Sequence, residues 1–119
     1  MKFMLLIHQG TTPTPRTPEA WERLSEDERN AVFAAYGEIN QTPGVTPGMQ
    51  LDEPGNAVTV TVKDGETLVT DGPFVEVKEA LGGYLVFEAD SLDAATELAA
   101  RIPAASMGGA IEVRPIVEY

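Results

Sequence analysis

The sequence predicts an α+β fold with one antiparallel sheet and helices packed on one of its faces. Two observations predict it: short apolar or alternating stretches typical of strands recur along the chain, and two longer stretches carry apolar residues at helical spacing. The 119 residues are enough to bury one hydrophobic core. A single domain over residues 1–119 is therefore expected.

The first half of the chain predicts a strand, a loop and a helix. Lys2–His8 (KFMLLIH) is a continuous apolar run, as in a buried central strand. The proline- and threonine-rich stretch 10–18 predicts a surface loop. Ser25-Glu26-Asp27-Glu28 matches a capping box, which predicts that a helix begins after Ser25. Thr42-Pro43-Gly44 predicts its end.

This helix is expected to bury one face against the core. The apolar residues at helical spacing on that face are Val32, Phe33, Tyr36 and Ile39. Trp21 and Leu24 lie just upstream, and they are expected in a short turn that covers the same core.

The middle of the chain predicts a β-hairpin. Val45–Asp52 is poorly patterned and only weakly indicates a strand. Asn56–Lys63 (NAVTVTVK) alternates strictly between valine and threonine in its central part, which predicts a strand. Asp64-Gly65 is a hairpin turn signal, and Thr67–Thr70 is the predicted returning strand.

The last part predicts a strand, a helix and a strand. Gly83–Ala89 (GYLVFEA) is the strand, and Asp90-Ser91 supplies an N-cap for the helix. The predicted buried stripe of this helix, which Pro103 terminates, is Leu92, Ala95, Leu98, Ala99 and Ile102. Ala110–Glu118 is the final strand, and Pro115 within it predicts either an edge position or an interruption of the ladder, because proline cannot donate a backbone hydrogen bond.

This order of elements predicts a ferredoxin-like βαββαβ-type sandwich with an added hairpin. The strand residues are apolar on both faces, for example in Phe3–Ile7 and Leu85–Phe87. Helices cover only one face of such a sheet. A homodimer with its sheets packed face to face is therefore expected, because large apolar patches are uncommon on soluble monomers.

Composition narrows the partners and cofactors. The net charge of −11 repels phosphate backbones and anionic lipids, so neither nucleic acid nor a membrane is expected as a partner. With no apolar run of membrane-spanning length and no secretory signal pattern, the expected location is cytoplasmic. The chain has no cysteine and one histidine, so a typical zinc or iron site is not expected. No phosphate-loop or dinucleotide motif indicates another cofactor, and none is expected.

The stretch Thr70–Tyr84 (TDGPFVEVKEALGGY) is longer than a connection between strands requires. It is expected to cover the mouth of a cavity between sheet and helices, where a small molecule binds. Asp71 has two roles left open: it initiates the turn at Gly72-Pro73, or it faces the cavity as a catalytic acid or base. His8 ends the first strand, either as a general base paired with Asp71 or as an ordinary strand-end histidine.

Four further residues are candidates for substrate binding: Lys78, Glu79, Tyr84 and Arg114. Lys78 either holds an anionic substrate or forms a surface ion pair with Glu79. Tyr84 places its hydroxyl in the cavity or packs in the core. Arg114, if it points inward, needs an acidic partner such as Asp71 or a ligand.

Two functions are left open. One is cofactor-independent acid–base catalysis on a small organic molecule, such as proton transfer, hydrolysis or elimination, because no nucleophile, phosphate loop or dinucleotide motif is present. The other is a non-catalytic binding or regulatory dimer that uses the same cavity. The fold class alone does not separate them.

Three stretches of the chain, MKFMLLIH, DGETLVTDGPFVEVKEALGGYLVFEADSLDAATELAARIPAA and GAIEVRPIVE, resemble the YCII-related family, in particular its DGPF-containing branch. The resemblance implies a ferredoxin-like fold that dimerises into an α/β barrel. It also implies an Asp/His active site, to which Asp71 corresponds. The histidine of better-studied relatives lies on the first helix, whereas Ser25–Gln41 has none, so His8 is the remaining candidate.

Overall fold

The computed structural model describes residues 1–74 and 81–119; the candidates Lys78 and Glu79 lie outside the described residues. The strands are β1 (Lys2–His8), β2 (Val45–Thr46), β3 (Val58–Lys63), β4 (Glu66–Asp71), β5 (Leu81–Glu88) and β6 (Ala110–Pro115). The helices are α1 (Pro18–Arg23), α2 (Glu26–Gln41) and α3 (Leu92–Ala100). Single 3-10 turns lie at Pro54–Asn56 and Pro103–Ala105. No helix in these ranges is long and apolar enough to cross a membrane.

Four strands form the main sheet, in the order β2-β5-β1-β6, with every neighbouring pair antiparallel. The apolar strand β1 is central, as predicted, with Leu5 opposite both Leu85 and Val113. β6 is an edge strand, which accommodates Pro115. The α+β class and the ferredoxin-like strand order are therefore confirmed for the single chain.

The hairpin β3–β4 forms a separate two-stranded sheet, here named the arm (Val58–Asp71). Asp64 and Gly65 both have positive φ, at 52° and 78°, which matches the predicted turn. The register pairs Val60 with Val69, so the valines of both strands share one face. That face is exposed: Val60 is 57% accessible, and Val58 and Val62 on the same face of β3 are also exposed.

The core lies between the main sheet and the helices. Phe3, Leu5 and Ile7 alternate toward this side of β1 and are buried. They pack in one cluster with Leu98 of α3 and Ile102. Fully burying side chains of this size contributes roughly 1.5–3 kcal/mol each relative to exposure.

The predicted buried face of α2 is partly wrong. Only Ile39 is buried in α2, whereas Phe33 is 58% exposed and Val32 and Tyr36 are half-buried. The physical reason is a gap: these three side chains border an open cavity between α2 and the sheet. Leu92, predicted in the buried stripe of α3, is also exposed: it is the first residue of that helix, and burial begins one turn later at Ala95.

Candidate functional site

A cavity of about 330 Å³ lies between the main sheet and the helices, near the end of β1. Its sheet side is formed by Ile7 and Leu85, which point toward the helices. Its helix side carries Trp21, Phe33 and Tyr36. The Trp21 and Phe33 rings meet edge to face, with centroids 5.5 Å apart. This is the size and apolar character typical of a small-molecule site.

In the part of the chain that the structure describes, two buried polar atoms on residues of this cavity have no hydrogen-bond partner. They are Gln9 Oε1 and Thr12 Oγ1, both buried and both on residues that border the cavity. Thr12 is only 7% exposed. Buried polar groups are nearly always paired in proteins, so two unpaired oxygens on residues of this cavity need an explanation.

Gly82 leaves room for the Gln9 side chain beside the cavity. A Cβ atom at position 82 would come within 2.2 Å of Gln9 Cγ and 2.7 Å of Nε2. The β1–β5 register runs from Ile7 opposite Gly83 to His8 opposite Leu81, so Gly82 is the extra residue of a bulge. The Gly82-Gly83 step thus provides both a bulge and room for a close approach.

The described residues that border this cavity include no Asp, Glu, Lys, Arg or His. Two tyrosines, Tyr84 on the sheet and Tyr36 on α2, are among these bordering residues, and burial raises the pKa of the Tyr36 phenol. The phenol therefore stays neutral at physiological pH and is available as a hydrogen-bond donor and acceptor.

A second cavity of about 260 Å³ adjoins the first and shares Gln9, Thr12 and Gly82 with it. It carries charge, but Arg16 and Asp52 form an ion pair with each other. The pKa of Asp52 is lowered, first by the Glu53 backbone amide and then by the Arg16 guanidinium. This pair joins the loop after β1 to the segment before Pro54–Asn56.

A charged cluster lies on the other face of the sheet, which the helices leave open. His8 Nε2 is 3.4 Å from Glu112 Oε1, and Glu112 Oε2 accepts a hydrogen bond from Arg114. The pKa of Glu112 is lowered, mainly by that bond from Arg114 and to a smaller extent by His8. His8 is not among the described residues that border either cavity, because its neighbour Ile7 takes the inward position.

The structure brings three of the sequence-predicted residues onto this open face: His8, Tyr84 and Arg114. The register sets Leu6 opposite both Tyr84 and Glu112, and Met4 opposite Arg114. Tyr84 also borders the cavity, so it lies at the boundary of the two regions. Arg114 pairs with Glu112, not with Asp71.

Asp71 is the last residue of β4, opposite Val58. Within the described ranges, no hydrogen bond or ion pair joins its carboxylate to another residue, and it borders neither cavity. The turn that follows is held by backbone groups and a threonine: Gly72 N donates to Ala57 O, and Thr59 Oγ1 donates to Gly72 O. The catalytic role of Asp71 stays a prediction.

Sequence reasoning missed Glu112, Gln9 and Thr12 as site residues. The alternation of Glu112 and Arg114 on one strand was a usable signal, because residues two apart share a face. Gln9 and Thr12 gave no local signal, since their burial depends on how the loop packs against β5. Among the described residues, no group of three or more His, Asp or Glu side chains could hold a metal ion.

Comparison with known proteins identifies the family. The sequence profile of the YCII-related domain matches residues 1–119. A relative in Rhizobium meliloti (strain 1021), named uncharacterized protein R00369, is 37% identical over 125 residues, covering 100% of this chain and 94% of the relative. A match across the full length, at this identity and with the ferredoxin-like strand order, means that the chain belongs to the YCII-related family.

Proposed function

We propose that this protein is a homodimer that binds a small organic molecule in the cavity between α2 and the sheet. The observation that carries the proposal is the cavity itself: about 330 Å³, with three aromatic side chains on one side and two unpartnered polar atoms on another. An aromatic wall with a few convergent polar groups is typical of ligand sites. Membership of the DGPF-containing branch and a cytoplasmic location remain predictions.

The homodimer is supported by the open face of the sheet. The centre of this face carries Met4, Leu6 and Val86, which are only half-buried in one chain. The valine face of the arm is exposed as well. Covering apolar surface of this extent with a second copy would remove it from water.

The binding proposal can be tested by fluorescence, because Trp21 is the one tryptophan in the chain and borders the cavity. A library of small neutral and charged organic fragments is titrated while Trp21 emission is followed. Val32→Phe narrows the cavity and should weaken every cavity ligand by about tenfold or more. Val62→Phe, the same change on the exposed arm, should leave affinity unchanged.

Two results would contradict the proposal. One is a library in which no fragment gives a saturable change up to about 10 mM, a concentration at which ligands of this size normally bind a formed pocket. The other is binding that is equally strong in Val32→Phe, which would locate the ligand elsewhere.

Acid–base catalysis is the second candidate, and the contact between His8 and Glu112 favours it. A histidine beside a carboxylate is a common general base, since the carboxylate orients the ring. The contact suggests Glu112 as the partner of His8, whereas the sequence predicted Asp71. In the proposed dimer this face is covered, which would shield the cluster from bulk water.

Kinetic measurements on any library compound that the protein converts distinguish Glu112 from Asp71 as the partner of His8. If Glu112 is the partner, Glu112→Gln should lower kcat by about a hundredfold or more while Asp71→Asn changes it little. The reverse result would restore the Asp71 pair. Equal turnover in His8→Gln and the native protein would rule out His8 as the base.

A further inference from the structure

We infer that the ligand of this cavity is an uncharged molecule with an apolar or aromatic body and an N–H or O–H group that donates to Gln9 Oε1 and Thr12 Oγ1. The inference rests on the proposed binding function and specifies its substrate class. It depends on the unpartnered atoms of one wall, the aromatic surface of another, and the absence of charge among the described bordering residues.

The polar wall is the first step. Gln9 Oε1 is an acceptor, and the Thr12 hydroxyl both accepts and donates. Both atoms are closed to solvent and have no partners among the described residues, so each has lost its hydrogen bonds to water without replacement. Each residue borders the cavity, and the proposed contact requires its side chain to rotate the oxygen toward the ligand. A ligand group carrying N–H or O–H supplies the missing bonds, as a primary amide, an alcohol, a phenol or a urea does. An apolar ligand would leave both atoms unpaired.

The aromatic wall is the second step. Trp21 and Phe33 meet edge to face and both border the cavity. The Phe33 side chain is 58% exposed, so it has apolar surface that a ligand can cover. A flat apolar body therefore gains burial on this side while its polar end reaches Gln9 and Thr12.

Charge is the third step. The chain carries 19 acidic and 8 basic side chains, yet none of them is among the described residues at this cavity. Among the described residues, Arg16, Asp52 and Glu53 border the adjoining cavity, and Arg16 and Asp52 form an ion pair with each other. Moving an ion from water into an apolar site without a counter-charge is costly, so anions and cations are both disfavoured.

The experiment uses matched fragments that differ in charge and hardly in shape. Benzamide, benzoate and benzamidinium form one such triple, and alcohols with their carboxylate and ammonium counterparts form others. Affinities are measured by Trp21 fluorescence on the full chain. The expected result is that the neutral member of each binding triple has an affinity at least about tenfold higher than either ion.

Variants of the polar wall test the contacts. Thr12→Val and Gln9→Leu each remove an unpaired acceptor, and each should weaken benzamide-like ligands by about fivefold or more. Gly82→Ala displaces the flexible Gln9 side chain and should weaken binding in the same way. Gly37→Ala is the matched control, because a Cβ there meets nothing within 4 Å.

The outcomes separate this inference from the binding function. Saturable binding that Val32→Phe weakens, but in which ions bind as tightly as neutral fragments, overturns the inference and leaves the binding function standing. Neutral preference with unchanged affinity in Thr12→Val, Gln9→Leu and Gly82→Ala overturns the assigned polar wall. If no fragment of any charge binds, the proposed binding function is wrong, and this inference, which rests on it, is wrong as well.

Discussion

At the scale of single residues, Thr12 carries a cost to stability that a ligand would remove. Its buried hydroxyl has no partner, so replacing it with the isosteric valine should raise the free energy of unfolding of the free protein by about 1 kcal/mol. Urea denaturation measures the change. Thr61→Val on the exposed arm is the control, with an expected change within about 0.5 kcal/mol. A clear loss of stability in Thr12→Val would mean that the hydroxyl is already bonded.

Glu112 gives a second residue-scale prediction, on acid sensitivity. Its pKa in the folded protein lies below the ordinary value of 4.5, chiefly because Arg114 donates a hydrogen bond to the carboxylate. A folded pKa below the unfolded one stabilises the fold above pH 4.5, and this contribution is lost as the pH falls through the folded value. Glu112→Gln should therefore make stability less dependent on pH below that point.

Denaturation at a series of pH values below neutrality checks the Glu112 prediction. Glu97→Gln, an exposed position on α3, supplies the matched control. If the free energy of unfolding depends on pH in the same way in Glu112→Gln and in the native protein, the stabilising pair of Glu112 and Arg114 on the open face is contradicted.

At the scale of elements, α2 depends on its first turn more than α3 does. Ser25 and Glu28 form a complete capping box, with Glu28 N to Ser25 Oγ at 3.1 Å and Ser25 N to Glu28 Oε1 at 3.0 Å. Because α2 buries only Ile39, packing compensates little for a lost cap. Ser25→Ala should cost about 1 kcal/mol and increase amide exchange at the start of α2.

The comparison for that variant is Ser91→Ala, which removes the cap of α3 at Ala94. α3 is held by the buried residues Ala95, Leu98 and Ala99, so its amides should remain better protected. Since α2 forms the helix side of the cavity, Ser25→Ala should also weaken a cavity ligand, and Ser91→Ala should not. Equal fraying of both helices would refute this difference.

At the scale of the whole molecule, the open sheet face decides the oligomeric state. Light scattering should give twice the 12.8 kDa of one chain. Leu6→Glu puts a charge at the centre of this face on β1 and should yield a monomer, because an unpaired charge is not buried between sheets. Circular dichroism verifies that the variant is folded, and Thr61→Glu on the arm is the control. A dimer that persists in folded Leu6→Glu would exclude this face as the interface.

The sequence by itself determined the local elements of this protein. The strand Lys2–His8, the Ser25 capping box and the Asp64-Gly65 turn were predicted correctly, and the edge position was one of the two alternatives given for Pro115. Each follows from forces within a few residues: apolar periodicity, amide capping, positive φ and a missing donor. The resemblance to the YCII-related family was likewise carried by the sequence, in the residues of three stretches, and the family profile matches residues 1–119.

Only the tertiary structure decided which side chains share a site. His8 and Ile7 are neighbours, yet one meets Glu112 on the open face and the other borders the cavity, because successive strand residues point to opposite faces. Phe33 was predicted to lie in the core, but it borders a cavity. Helical spacing predicts which side of α2 a residue lies on, but it does not predict how far the helix stands from the sheet. The unpaired atoms of Gln9 and Thr12 likewise arise from long-range packing, which no local pattern encodes.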